Sequence, residues 1–229
     1  MYIPKTKEDL WSLIKSNVPG DQIDVRHITD MSRLFENSPY NHPLDSWDVS
    51  HVTNMDYMFS GSQYNHSLGS WDTHRVQSMH CMFSESQYNH PLGSWDTSKV
   101  RSMNSMFYMS QYNHPLGSWD VSQVRSMVCM FAWSQYNHPL GGDALGDGSL
   151  NSPSWDVSQV KSMDSMFRNS QYNHPLGSWD VSRVINMECM FWESQYNHPL
   201  DSWDTCKVRS MNGMFEFSKY THPYPKGFR

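Results

Sequence analysis

Residues 95–118 read Trp-Asp-Thr-Ser-Lys-Val-Arg-Ser-Met-Asn-Ser-Met-Phe-Tyr-Met-Ser-Gln-Tyr-Asn-His-Pro-Leu-Gly-Ser, and close copies of these 24 residues fill most of the chain. Trp47, Trp71, Trp95 and Trp119 stand 24 apart; Trp155, Trp179 and Trp203 resume the count after a 12-residue insertion. Phe35, Phe59, Phe83, Phe107, Phe131, Phe167, Phe191 and Phe215 keep the same step, as do eight tyrosines from Tyr40 to Tyr220. A unit this short cannot bury its own apolar face, so neighbours must stack into one continuous core. Repetition also moves the functional expectation. A stack of near-identical coils displays a surface, whereas an enzyme needs one unrepeated site.

Within the unit, β-branched residues and alternating polarity from Trp95 to Met103 predict a short strand. Met103, Met106 and Phe107 fall at i, i+3 and i+4, which predicts a short helix over residues 104–109. Tyr112-Asn113-His114-Pro115 forces an extended turn, and Gly117-Ser118 marks the next corner. The expected fold is therefore α/β, a leucine-rich-repeat-like solenoid of eight 24-residue coils with one short parallel strand and one short helix per coil. Leu116, Trp119, Val124, Met127, Met130 and Phe131, with their equivalents, are the expected core rows. Methionine at helical spacing beside phenylalanine is core material and not a copper site. Each buried indole N–H needs an acceptor, expected to be a backbone carbonyl at a corner.

The ends differ from the middle. Residues 1–22 are expected to form an N-terminal cap helix and lead-in, with Thr6 as the capping residue and Leu10, Trp11, Leu13 and Ile14 as the apolar face. Residues 23–229 make the repeat solenoid, with Ile23 in the first tryptophan slot. The insertion, about 141–152, is rich in Gly, Asp and Ser and should loop out. At the far end Pro223 and Pro225 can blunt an exposed edge by removing donors. No cap helix is expected there, which leaves self-association through the C-terminal coil open.

Composition narrows the classes. Charged residues are 17%, too few for a disordered polyelectrolyte, and 14% aromatic residues with 17 methionines supply large core side chains. A formal charge of −6 argues against nucleic acid as a partner. No apolar run approaches a membrane span. The opening Met1-Tyr2-Ile3-Pro4-Lys5 lacks the apolar stretch of a secretion signal, which places the chain as written in the cytoplasm. Cys81, Cys129 and Cys189 share a slot in alternate coils, about 9–10 Å apart at a coil spacing of about 4.8 Å, too far for a disulfide. With Cys206 they are expected to be reduced packing residues, and no C-x2-C pair suggests zinc.

The run Trp-Asp-Val-Ser-x-Val-x-x-Met-x-x-Met-Phe, as in residues 119–131, followed by Tyr-Asn-x-Pro-Leu, resembles the BspA-like leucine-rich-repeat surface proteins. The opening Pro4-Lys5-Thr6-Lys7-Glu8-Asp9-Leu10 is similar to the start of many members. The resemblance covers nearly the whole chain. It implies a leucine-rich-repeat-like solenoid and, for some members, adhesion or protein binding at a cell surface, so that a surface or secreted location stays open. Two departures stand out: the missing secretion signal, and histidine where many members carry another polar residue before proline.

Four rows carry the candidate chemistry. His66, His90, His114, His138, His174 and His198, flanked by His42 and His222, stack at coil spacing. Adjacent imidazoles of this kind can chelate zinc, nickel or copper, which makes a metal-binding ladder the alternative function; a purely structural ladder, or mutual repulsion on protonation, are the other readings. The row Asp24, Asp48, Asp72, Asp96, Asp120, Asp156, Asp180 and Asp204 reads as turn chemistry rather than calcium binding, each carboxylate accepting backbone N–H bonds at a corner. Around the valine slot stand Arg75, Lys99, Arg101, Arg125, Lys161, Arg183, Lys207 and Arg209. They either balance the aspartates or form a basic stripe, of which Arg101, Arg125 and Arg209 are the candidate contacts, for an acidic partner.

The fourth row varies freely. The two residues after each phenylalanine include Ser60-Gly61, Ser84-Glu85, Tyr108-Met109, Ala132-Trp133, Arg168-Asn169, Trp192-Glu193 and Glu216-Phe217. A core slot cannot absorb such changes of volume and charge. Tyr108, Trp133, Trp192 and Phe217 are therefore expected to line a broken aromatic strip, unless the rings fold back over the corner. No triad or phosphate loop is legible, because every Ser, His and Asp recurs at fixed offsets. The expected function is a non-enzymatic surface for protein–protein interaction or adhesion, with no cofactor and an unidentified protein partner.

Overall fold

The computed structural model describes residues 1–140 and 154–228, so the insertion expected to loop out over residues 141–152 lies outside the described residues. The chain opens with α1, Lys7–Lys15, whose start is fixed by a reciprocal capping box: Thr6 Oγ1 accepts from the Asp9 N–H, and the Asp9 carboxylate accepts from the Thr6 N–H. Leu10 and Ile14 are buried against the first coil and Leu13 is partly buried. Trp11 departs from the expected apolar face. It is 45% exposed, with the Lys15 ammonium 3.4 Å from its ring centre.

Beyond a 3-10 turn at Gly20–Gln22 come eight stacked coils, entered at Ile23, Trp47, Trp71, Trp95, Trp119, Trp155, Trp179 and Trp203 and numbered coils 1 to 8 in that order. The α/β leucine-rich-repeat-like solenoid does not form. Among the described residues α1 is the only α-helix, and no strand extends beyond isolated one-residue bridges. A parallel ladder one residue wide, Asp30–Asn54–Ser78–Ser102–Ser126–Ser162–Asn186–Ser210, stands where a sheet was expected.

The expected helix is replaced by a run of tight turns. In coil 4 the N–H groups of Met103, Ser105, Phe107 and Met109 donate across to the carbonyls of Ser126, Val128, Met130 and Ala132 in coil 5. The N–H groups of Met106, Tyr108 and Ser110 donate back to residues 103, 105 and 107. Amides thus alternate between the next coil and their own turn. A helix, which directs every N–H within its own segment, cannot do this. The alternation needs two left-handed residues per coil, and they occur in every one: Ser105 (φ 53°) and Met109 (φ 51°) in coil 4, with equivalents up to Gly213 and Phe217 in coil 8. Only Gly61 and Gly213 in these sixteen places escape the steric cost of about 1–2 kcal/mol for an L-residue.

Core burial outweighs that cost. The leucine, tryptophan, valine, methionine and phenylalanine rows are buried as the spacing predicts, most of them fully. The tyrosine row, not among the expected core rows, is buried too from Tyr40 to Tyr196. Phenylalanine rings stack face to face from Phe35 to Phe215, 5.1 to 5.9 Å between centres. Each buried ring contributes about 1.5–3 kcal/mol. Indole N–H groups donate to corner carbonyls as expected, Trp71 to Leu44 and Trp95 to Leu68, both at 2.9 Å. Trp179, whose equivalent acceptor would be Leu140 at the edge of the insertion, has no partner among the described residues. Burial pushes the Tyr40 hydroxyl up to about 12 and the hydroxyls of Tyr64, Tyr88, Tyr112, Tyr136, Tyr172 and Tyr196 further still, so this row stays neutral.

Candidate interaction surface

The variable pair after each phenylalanine lies on the turn that the left-handed residues create. Its second member is itself left-handed in every coil, including Trp133 (φ 54°) and Phe217 (φ 57°). The first member, in ordinary backbone geometry, carries Tyr108, Arg168 and Trp192. Coil stacking brings these side chains into one line. Tyr108 meets Trp133 edge to face at 5.7 Å, and Trp192 meets Phe217 in the same way at 5.8 Å. Between the two pairs stands Arg168, its guanidinium carbon 4.8 Å from the Trp133 ring centre and 4.3 Å from that of Trp192.

The four expected aromatics are thus joined, and Arg168 is the member sequence reasoning missed. It was visible as the residue occupying, in coil 6, the position Tyr108 and Trp192 hold in coils 4 and 7. Its Nε is buried without a hydrogen-bond partner, since both flanking groups are ring faces. Tyr108, Trp133 and Trp192 are half-buried along the strip, while Phe217 is 76% exposed at its end.

Arg101, Arg125 and Arg209 are exposed as expected but belong to a different row. Backbone bonds from Arg125 N–H to the Arg101 carbonyl and from Lys161 N–H to the Arg125 carbonyl stack three cations on consecutive coils. Ile185 then interrupts the row before Arg209. Among the described residues none of the eight basic side chains around the valine slot makes an ion pair with the aspartate row; Asp24 pairs with Arg26 and Asp72 with His74 instead.

The aspartates act as turn residues. Each accepts the N–H two residues on, from Arg26 on Asp24 to Cys206 on Asp204, at 2.9 to 3.2 Å. Side-chain hydrogen bonds from Arg26, Ser50, His74 and Ser98 hold Asp24, Asp48, Asp72 and Asp96 below the usual carboxylate range, Asp24 at about 2. Backbone N–H bonds from Ser182 and Cys206 do the same for Asp180 and Asp204.

The histidines sit in a ladder built by asparagine, which the sequence reading did not single out. The Oδ1 of Asn41 accepts the N–H of Asn65, and the pattern climbs through Asn89, Asn113, Asn137, Asn173 and Asn197 to Thr221. The backbone carbonyl of each of these asparagines meets the next coil's imidazole: His66, His90, His114, His138, His174, His198 and His222 place Nε2 at 2.8 to 3.2 Å from it. A carbonyl only accepts, so Nε2 carries the proton and is engaged, and Nδ1 has no hydrogen bond among the described residues. The rings also stand edge-on to the tyrosine two residues before them. Among the described residues no three His, Cys, Asp or Glu side chains gather where they could hold a metal ion.

Cys81, Cys129 and Cys189 are free thiols. Cys81 is buried and Cys129 and Cys189 half-buried, all three in the left-handed slot, and burial pushes their thiols up. Cys206 is exposed, which corrects its expected packing role.

A family model described as a Mycoplasma protein of unknown function, DUF285, matches residues 8–111, 64–145 and 147–225. The chain belongs to that family. Its description names neither a leucine-rich repeat nor adhesion. No curated protein and no solved structure matches the chain. No helix among the described residues is long and apolar enough to cross a membrane.

Proposed function

We propose that this chain is a non-enzymatic repeat protein that presents a surface to another protein, for interaction or adhesion, and that the strip Tyr108–Trp133–Arg168–Trp192–Phe217 is that surface. The observation that carries the reading is the continuity of the strip over five consecutive coils, at positions where the repeat itself demands no particular side chain. Large aromatics and arginine are the residues that anchor protein interfaces. Here they are held rigid by one another, so little side-chain freedom is left to lose on docking. Arg168 adds a positive charge between two indoles, which suits a partner that brings a carboxylate or backbone carbonyl to the centre of the strip.

Immobilised wild-type chain and the double variant Trp133→Ala/Trp192→Ala, each exposed to extract of the source organism, test the reading. The expected result is a partner retained by the wild type and lost, by about tenfold or more, from a variant that still unfolds cooperatively. Equal retention by both proteins would overturn it.

A further inference from the structure

The last coil is covered over only half its length. After Tyr220 the chain turns back so that Lys226 bridges Asp204 in parallel, and the Lys226 carbonyl accepts both the N–H (3.2 Å) and the Oγ1 hydroxyl (2.7 Å) of Thr205. Thr97 Oγ1 makes the same bond to the carbonyl of Asp120 in the coil above, so residues 224–228 stand in for the start of a ninth coil. Their rings lie over the end of the core, Tyr224 58% exposed and Phe228 partly buried. Tyr224 and Phe228 lie 4.3 Å apart and 5.5 and 5.8 Å from Phe215, close to the spacings of the tyrosine and phenylalanine rows within the stack.

The turn half of coil 8 has no such cover. Between coils 7 and 8 six backbone bonds close this stretch. Arg209 and Lys219 donate to the carbonyls of Ile185 and Ser194, while Met187, Cys189, Phe191 and Glu193 donate to those of Ser210, Asn212, Met214 and Glu216. On the far side of coil 8 the corresponding groups are the carbonyls of Arg209 and Ser218 and the N–H groups of Met211, Gly213, Phe215 and Phe217. None of the six has a backbone partner among the described residues. The edge therefore reads acceptor, four donors, acceptor, beside a Phe217 ring that is 76% exposed.

We infer that this edge is a docking site for a peptide segment of another polypeptide that adopts the repeat's own turn and adds a further rung to the stack. Hydrogen-bond complementarity sets the occupant: it must offer one N–H, four carbonyls at alternate residues and a final N–H, which is what the facing edge of each coil in this stack supplies. Because Tyr224 and Phe228 already lie over Phe215, the occupant's inward side chains must be small, and glycine or asparagine suits its two left-handed positions, four residues apart. The intact N-terminal end of a second copy is not that occupant. There α1 lies over the first coil, Leu10 and Ile14 buried against it and Lys7 Nζ bonded to Asp30 Oδ2 and Ser32 Oγ. Extension of an exposed backbone edge by a guest segment is a general recognition mode, with main-chain bonds supplying affinity.

Amide hydrogen exchange on the full chain tests this without any variant that risks misfolding. In the free protein Met211, Gly213, Phe215 and Phe217 are expected to exchange about a hundredfold or more faster than Met187, Cys189, Phe191 and Glu193, their counterparts one coil earlier. The probe is a synthetic peptide of residues 209–219 carrying Met211→Ala, Met214→Ala, Phe215→Ala and Phe217→Gly, added at about 1 mM, where a contact this small should be seen. It is expected to slow those four amides and leave the rest of the turn amides unchanged, in the wild type and equally in Trp133→Ala, which separates this edge from the aromatic strip. Four amides already protected in the free chain, or four left unprotected by the peptide, would overturn the inference.

Discussion

Coils 2 and 3 and coils 4 to 8 follow the same turns and differ most sharply in the pair after phenylalanine. Ser60-Gly61 and Ser84-Glu85 hold no ring, whereas from Tyr108 to Phe217 each pair carries one ring or, in coil 6, an arginine. Through coil 7 the amide pattern is the same in both regions, and the left-handed positions recur in every coil. The core rows and the cross-coil bonds therefore set the scaffold, and the pair after phenylalanine is left to carry recognition. A surface built this way can change without cost to the stack.

The sharpest break of that comparison is a core substitution. Phe107→Ala removes a fully buried ring stacked on Phe83 and Phe131, and chemical unfolding should show a loss of about 3–5 kcal/mol. Next in size is Gly61→Ala. The residue has φ +63° and its new Cβ would press on Asn37 Oδ1, so a loss of about 1–2 kcal/mol is expected from the same measurement. Met109→Gly should move the other way. It relieves a left-handed methionine that is half exposed, and a gain of about 0.5–1 kcal/mol is expected. A loss at Met109→Gly would mean that the turn does not hold that residue left-handed.

The aspartate row gives the smallest and most distributed effect. Folding lowers the pKa of Asp24, Asp48, Asp72, Asp96, Asp180 and Asp204, so the stabilisation is fully present above the ordinary carboxylate range near pH 4. It is lost as pH falls through the folded values, which for Asp24 means about 2. Melting temperature should drop between about pH 4 and pH 2, and Asp24→Asn should flatten part of that drop. An unchanged pH profile in the variant would show that Asp24 makes no such contribution.

Much of this was legible in the residues. Period 24 gave the coils, the aspartate and serine two apart gave the turn, and the tryptophan row demanded the carbonyls it found. The strand and helix were misread because periodicity reports which side chains point inward, not how the backbone takes them there. Met103, Met106 and Phe107 reach the core from successive tight turns as readily as from a helix. The signal against a helix lay in the columns that contain Asn37, Gly61, Asn169 and Gly213, the residue types that accept positive φ. The asparagine ladder was equally visible, at one residue per coil from Asn41 to Asn197, but its bonds run between coils and leave no trace in local propensity. Arg168 was hidden because a strip defined by rings alone passes over a cation that stacks like one.

The division between scaffold and surface is tested most directly by unfolding Trp133→Ala/Trp192→Ala beside Phe107→Ala. The double variant gives up ring pairs and the stacking on Arg168, half-buried interactions that should cost about 1–2 kcal/mol in total, against at least about 3 kcal/mol for the single phenylalanine. A double variant as unstable as Phe107→Ala would make the two tryptophans part of the core and contradict the separation.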